Sequence, residues 1–401
     1  MPNDLPPPSG VGSRPNDSLA GIEVTADFQR FRQIDDIFSR AFHDPAVRSK
    51  QTEAFFASYR VEGVPRRGEG FTQKDFALRN AAWALSDMVS NRSADDGRRA
   101  GFQAPMVSDT PIAPTRVDVA DPAVMTAEIK TIAKLFGADL AAVTDYDDRW
   151  TYSSRVDTRD FSEAPVDLPA GITSVIVLGH GMDHDLTQAY PSALGSAAAG
   201  LEYSNEAVIL TQLVAYIRGL GYEAIGSIND TALVIPYAIK AGLGEYARNQ
   251  LVITPEFGPR LRFSKIFTNL PLAHDAPQKR GVAHFCAICT KCADACPVKA
   301  LPFGPPSAEP VGRSSIRGVR KWTSDAEKCF GYWVKLTSDC AICMRVCPFN
   351  RDYSKALHRV WLKLALSPLR RLALWWDEQS KRADRLRPRD WWSAAAARRG
   401  S

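Results

Sequence analysis

The sequence predicts an α+β protein in which a helical N-terminal region and a mixed α/β core precede a short, cysteine-dense module. Three observations carry that prediction. All eight cysteines of the 401-residue chain fall between Cys286 and Cys347, so one segment holds all of its thiol chemistry. Upstream, the unbroken apolar run Thr173-Ser-Val-Ile-Val-Leu178, closed by Gly179-His-Gly181, suits a strand covered on both faces. The clearest helix follows at 198–218, with Val208, Ile209, Leu213 and Ile217 on one face and a glycine-based stop at Gly219-Leu-Gly221.

The elements follow in chain order. Residues 1–20 open on Met1-Pro-Asn-Asp-Leu-Pro-Pro-Pro-Ser-Gly and are expected to be disordered. Residues 21–120 read as helical with loops. Asp27-Phe-Gln-Arg-Phe31 and Ile37-Phe38 space their apolar side chains near 3.6 residues, and 75–88 forms a second helix. A third helix is expected over 126–140. The core, 121–275, takes in the strand and long helix above and ends in extended pieces at 223–228 and 251–253. The cysteine module occupies 276–350, and a basic, tryptophan-rich tail fills 351–401.

Charge is unevenly placed. The tail carries thirteen Lys/Arg against five Asp/Glu, a surplus of eight within a chain total of +5, so residues 1–350 come to −3. The body is therefore no nucleic-acid surface. No P-loop, G-x-S-x-G elbow or H-E-x-x-H occurs, which removes phosphoryl transfer and the common hydrolases. Gly242-Leu-Gly244 lacks a dinucleotide-binding context and reads as a turn bringing the backbone close to something. His180, His274 and His284 have no spacing for a metal site. With no secretory signal and no apolar run long enough to span a membrane, the chain reads as cytoplasmic.

The first cysteine run is Cys286-Ala-Ile-Cys289-Thr-Lys-Cys292-Ala-Asp-Ala-Cys296-Pro297. The second is Cys329, then Cys340-Ala-Ile-Cys343-Met-Arg-Val-Cys347-Pro348. C-x2-C-x2-C-x3-C-P is the spacing of bacterial ferredoxins that hold two [4Fe–4S] clusters, in which the fourth cysteine of a run serves the other cluster. On that pattern Cys286, Cys289, Cys292 and Cys347 hold one cluster, and Cys296, Cys329, Cys340 and Cys343 the other. Zinc knuckles leave the third cysteine of each run and the C-P endings unexplained, and disulfides rarely join cysteines two residues apart.

Several further segments resemble the corrinoid-dependent reductive dehalogenases. They are Tyr203-Ser-Asn-Glu, Ile217-Arg-Gly-Leu-Gly-Tyr222, Ala241-Gly-Leu-Gly-Glu245, Pro255-Glu-Phe-Gly258, Thr268-Asn-Leu-Pro-Leu272 and Phe285-Cys286. Asp27-Phe-Gln-Arg-Phe31, Ala81-Ala-Trp83 and Val177-Leu-Gly-His-Gly-Met-Asp183 add to them, and the likeness covers about residues 22–350. The resemblance implies a nitroreductase-like, corrinoid-binding core beside a ferredoxin-like module for two [4Fe–4S] clusters. It also implies base-off cobalamin over the 226–270 region, with Gly242, Gly244, Pro255, Gly258 and Thr268 as contacts. The cluster of Cys296, Cys329, Cys340 and Cys343 would be the one nearest cobalt.

Carried over in the same way, Tyr203 would donate a proton to the carbon losing its halide. Arg262 would stabilise the phenolate as it forms, and Asn229 would orient the hydroxyl or the halide. A phenol ordinarily titrates near 10 and is a reluctant acid without such help. Plainer uses remain open: a capping or half-buried tyrosine, a turn asparagine, an arginine on a phosphate or carboxylate. The substrate pocket is expected to include Phe38, Trp83, Leu336 and Ile342. Smaller side chains at the last two would admit a larger, aromatic organohalide.

The family reading makes this a non-exported, stand-alone catalytic subunit fed by an external ferredoxin or flavodoxin and its reductase. Two alternatives compete with it. One is an epoxyqueuosine reductase-like tRNA-modifying enzyme; the other is a non-catalytic electron-transfer or corrinoid-handling protein. In the tail, Pro368 interrupts a basic amphipathic pattern that suits a peripheral membrane contact or an acidic ferredoxin, and equally suits packing back on the protein.

Overall fold

The computed structural model describes residues 12, 14–60, 68–95, 110–157, 159–166, 168–380 and 382–397. Its centre is a four-stranded antiparallel sheet in the order Leu140–Asp145, Ser174–Gly181, Leu261–Thr268, Ala224–Ser227. Val175, Ile176, Val177 and Leu178 are all fully buried, because each face of the sheet carries its own helical layer. Ile176, Leu178 and Ile266 pack with Leu210, Leu213 and Ile217 of the helix Ala193–Gly219 on one face. On the other, Val175, Val177 and Phe267 meet Tyr237 and Ile239 of the helix Val234–Lys240. An apolar run without alternation is what a strand covered twice requires.

The long helix differs from its expected face in one residue: Val208 is exposed at 42%, and Leu210 and Val214 take its place in the core. It ends as expected, with Gly221 in the left-handed region at φ +88°, where a Cβ would meet the carbonyl of Thr115. The helix Gln73–Asp95 lies against it. Gly200 makes room for that approach, since a Cβ there would overlap the Trp83 indole.

Three expectations need correction. Residues 24–29 are a strand, Val24–Gln29, paired antiparallel with Arg317–Val319 of the cysteine module. The apolar spacing suggested a helix, but pairing with a distant strand overrides it; Gly318, φ +70°, lets the two backbones meet at Phe28. The third helix runs Pro122–Leu135, capped by the Asp121 side chain, and stops before Gly137. The first sheet strand then starts at Leu140, inside the range read as helix. Finally, the expected disorder over 1–20 falls outside the described residues up to 11 and at 13, but 17–20 are a short helix. There Asp17 is buried and accepts two hydrogen bonds from the Arg149 guanidinium, at 2.8 and 2.9 Å.

The cysteine module is bound to the core by polar and backbone contacts. Buried Arg248 donates to the carbonyls of Cys286, Cys289, Pro302, Phe303 and Gly304 at 2.8–3.2 Å. Asn249 donates to the carbonyl of Cys343 at 3.3 Å. One short stretch of core backbone thus touches both cysteine runs. Beyond the module the chain folds back on itself in helices Ala356–Ala365, Arg370–Glu378 and Pro388–Ala397. Trp361 is fully buried, edge-on to Phe285 and Phe349, and Trp392 donates to Asp75 at 2.9 Å. No helix among the described residues is long and apolar enough to cross a membrane.

Candidate active site

The eight thiols separate in space as the spacing pattern demands. Burial raises Cys286 and Cys292 to about 12, and neighbouring thiols add to it. The neighbours that act on Cys347 are Cys286, Cys292 and Cys289. Those on Cys340 are Cys329 and Cys296, while Cys343 feels Cys329 and Cys340 most and then Cys292 and Cys296. Two quartets result, adjacent through Cys292 and Cys343 (both packed with Ala293 and Leu301). Such buried thiols stay protonated on their own; ligation to iron is what would strip their protons. Among the described residues no three His, Cys, Asp or Glu gather as a single ion would require.

The quartets face different surroundings. Cys286, Cys289, Cys292 and Cys347 surround a small void beside Phe285 and Phe349. Cys296, Cys329, Cys340 and Cys343 form one wall of a cavity of about 520 Å³. The same cavity is lined by the aromatic side chains Phe38, Phe55, Phe56, Tyr59 and Trp83 and by Tyr203, Asn229 and Arg262. A second cavity of about 540 Å³ shares Phe38, Asn229, Gln250 and Ser324 with the first. Each alone is the size of a small-molecule site. Side by side they offer room for a macrocycle and a substrate together.

Tyr203 is held from three directions. Asn229 Nδ2 donates to its hydroxyl oxygen at 2.6 Å, and Arg262 Nη2 donates to Asn229 Oδ1 at 3.0 Å. The Arg262 guanidinium lies 3.7 Å from the centre of the Tyr203 ring, and Trp83 stacks on that ring at 4.5 Å. Three elements deliver these groups: the long helix, the loop after Ala224–Ser227, and the strand Leu261–Thr268. Burial pushes the phenol above its ordinary 10, more strongly than Arg262 and Asn229 pull it down. The resting tyrosine is a neutral donor, and the cation limits the cost of losing its proton.

Of the pocket residues expected from sequence, Phe38, Trp83 and Ile342 line the first cavity. Leu336 does not; it closes the helix Ala326–Leu336, and Trp333, three residues earlier, faces the cavity instead. The expected corrinoid contacts Gly242, Gly244, Pro255, Gly258 and Thr268 line neither cavity. Their work is internal. Gly242, φ +75°, lies against the carbonyl of Ala276, and Gly244 against that of Ile253. Gly258, φ +60°, leaves space for the carbonyl of Phe349, so the Pro255-Glu-Phe-Gly258 turn docks the cysteine module on the core. Thr268 Oγ1 donates to the Glu223 carbonyl at 2.6 Å at a strand end.

Behind Tyr203 and Arg262 stands an acid to which the sequence reading gave no role, the last residue of the Tyr203-Ser-Asn-Glu segment. Glu206 sits one turn beyond Tyr203, is fully buried, and has no hydrogen-bond partner among the described residues for either carboxylate oxygen. Arg262 Nε approaches it at 3.7 Å. Its sequence signal is a glutamate on the apolar face of an otherwise well-patterned helix. Burial raises its carboxyl to about 7, against the pull of Arg262 and Lys265 and with help from Glu202. An unfolded glutamate ionises near 4.5, so the folded state's preference for the proton stabilises fully below that value. This contribution is lost as pH rises through about 7. Glu206→Gln should therefore match the parent in thermal and urea unfolding near pH 4, and exceed it by on the order of 3 kcal/mol near pH 8. A difference that does not grow with pH would mean that Arg262 already holds Glu206 as a carboxylate.

A family model for a 4Fe-4S double cluster binding domain matches residues 285–350. A tetrachloroethene reductive dehalogenase of Desulfitobacterium hafniense is 35% identical over 261 residues, 56% of this chain and 47% of that one. The solved structure of the catabolic reductive dehalogenase NpRdhA in complex with 3-bromo-4-hydroxybenzoic acid superposes with a TM-score of 0.69 at 21% identity. It covers 91% of this chain and 48% of the other. The chain is thus similar to reductive dehalogenases in sequence over its matched residues and in fold. A second solved reductive dehalogenase, described for a mechanism of B12-dependent dehalogenation, gives a TM-score of 0.68 at 21% identity over 91% and 48%. At this identity the structural likeness establishes the shared α+β fold. The chain spans about half the length of the curated relatives it matches.

Proposed function

We propose that this chain performs corrinoid-dependent reductive dehalogenation of an organohalide, R–X + 2 e⁻ + H⁺ → R–H + X⁻. The observation that carries the reading is one cavity lined both by a cysteine quartet and by the hydrogen-bonded Tyr203–Asn229–Arg262 group. Among the described residues, three that line that space, Trp83, Arg262 and Asp339, each carry a buried polar atom without a hydrogen-bond partner, and such atoms suit a site that a bound group completes. The second cavity, lined by Ser314, Ser315, Arg320, Lys321 and Thr323, offers donors for the amide and phosphate groups at a corrinoid's edge; burial lowers Lys321 to about 8. A bound corrinoid would supply the low-potential metal chemistry that breaks the carbon–halogen bond, with the iron–sulfur clusters passing it single electrons.

The chain's own residues handle substrate and proton. Asn229 donates into the tyrosine oxygen, so the Tyr203 hydroxyl hydrogen is free to point at the substrate. Tyr203 gives that proton to the carbon, and Arg262 stabilises the phenolate left behind. The aromatic wall of Phe38, Phe55, Phe56 and Trp83 favours an aromatic halide, in keeping with the bromohydroxybenzoate bound by NpRdhA. The work is suited to a reducing, cytoplasmic setting. The test is anaerobic loading with iron, sulfide and cobalamin, then halide release from chlorinated and brominated phenols with reduced viologen. A protein that takes up corrinoid and about eight iron atoms yet releases halide from none of them, while reducing an epoxyqueuosine tRNA, would overturn the reading.

A further inference from the structure

Among the described residues, the C-terminal helices leave one face without a partner, and that face lies over the cysteine quartet farther from the cavity. Trp361, Ala365 and Ala373 turn inward, and the Trp361 indole donates to the Ala373 carbonyl at 2.8 Å, joining helices Ala356–Ala365 and Arg370–Glu378. On the outer side Leu357, Val360, Leu369, Leu372 and Trp375 are 49–60% exposed. Between them the sequence from 353 to 376 holds five Lys/Arg and no Asp/Glu. Of these, Lys355, Arg359, Lys363 and Arg371 are exposed. Arg359 is taken up by the Tyr353 and Ser354 carbonyls, and Lys355 stands 3.7 Å from Asp352. An exposed apolar patch rimmed by positive charge, with Lys363 and Arg371 exposed on it, is the composition of a docking surface for an acidic partner.

Position selects the kind of partner. Beneath the patch, Trp361 contacts Phe285 and Phe349, the first next to Cys286 and the second two residues past Cys347. Buried Asp377 pairs with Lys291, which adjoins Cys292, and with Arg351 and Arg382. The helix pair is thus fixed to the segments that carry the outer quartet. An anionic membrane would meet the same basic and apolar side chains, but would leave this placement without a use.

We infer that the outer face of helices Ala356–Ala365 and Arg370–Glu378 is the landing site of a small acidic one-electron carrier protein. The inference deepens the proposed function, which needs an external electron source. In each encounter one electron passes from the carrier's reduced centre to the outer cluster: the carrier is oxidised, the cluster is reduced, and no proton or covalent bond is exchanged. Two encounters serve each carbon–halogen bond.

The test uses the full chain with both clusters and corrinoid loaded, mixed in stopped flow with a reduced acidic [2Fe–2S] ferredoxin while cluster bleaching is followed. No halide is present, so failure here is distinct from failure of the dehalogenation reading. The second-order rate constant should fall with added salt, and the double variant Lys363→Glu, Arg371→Glu should lower it about tenfold or more. Leu372→Ser should lower it with the salt slope unchanged. Reduction by methyl viologen, which needs no docking, should be the same in all four proteins or conditions. Equal ferredoxin rates in parent and double variant would overturn the inference. So would a double variant that loses only its sedimentation with phosphatidylserine vesicles, which would assign the face to a membrane.

Discussion

Tyr203→Phe should reduce halide release by a factor on the order of 10²–10⁴ while both clusters and corrinoid load normally. The substitution is narrow. A phenylalanine keeps the stack on Trp83 and stays beneath the Arg262 guanidinium, so packing changes little. It removes the hydroxyl alone, and with it the hydrogen bond that Asn229 Nδ2 makes at 2.6 Å. An unpartnered buried amide costs on the order of 1–3 kcal/mol of stability, which thermal unfolding will show without obscuring the rate. Iron and corrinoid content, measured on the sample used for the assay, guard against an assembly defect. Full turnover in that sample would remove Tyr203 as the proton donor and leave it as an orienting aromatic residue.

An alanine at Cys340, in the quartet that lines the cavity, should abolish halide release and lower iron from about eight atoms to about four. Alanine is preferred to serine because it offers no ligand. The matching change in the outer quartet, Cys289→Ala, should give the same iron loss. It should nonetheless keep part of its turnover with a small reductant that enters the cavity, because the inner wall is intact. The comparison orders the relay: if the two variants were equally inactive with viologen, the outer cluster would be obligatory rather than a first receiver. Parental rates in the Cys340 variant would separate the cavity from the electron path altogether.

The sequence was most informative where one pattern allows one geometry. Cys-x2-Cys-x2-Cys-x3-Cys-Pro led to two sets of four thiols, and the first cavity and the small void are each lined by one of those sets. The apolar run before Gly179 identified a doubly covered strand for the same reason. Residues 24–29 misled because their partner lies almost 300 positions away, and local spacing is blind to such pairing. Gly242 and Gly244 were read as a turn of close approach, but a sequence cannot say what approaches; here it is the protein's own backbone, at the carbonyls of Ala276 and Ile253. Glu206 stood in the Tyr203-Ser-Asn-Glu segment without a role, because a single acid on an apolar helix face does not say what it meets. Its meaning came only when the strand carrying Arg262 was placed beside it.

The cavity has one wall that is free to change and one that is not. Ala341 and Ile342 lie between ligands Cys340 and Cys343, and Trp333 lies one helical turn from Cys329. Any reshaping of that side also moves a sulfur, and so alters the driving force for the electron. Phe38, Phe55, Phe56 and Trp83 come from helices that carry no cysteine. Adaptation to new halides should therefore accumulate in the N-terminal helices, and most freely at Trp83, since Phe38, Phe55 and Phe56 pack on Phe330 beside Cys329.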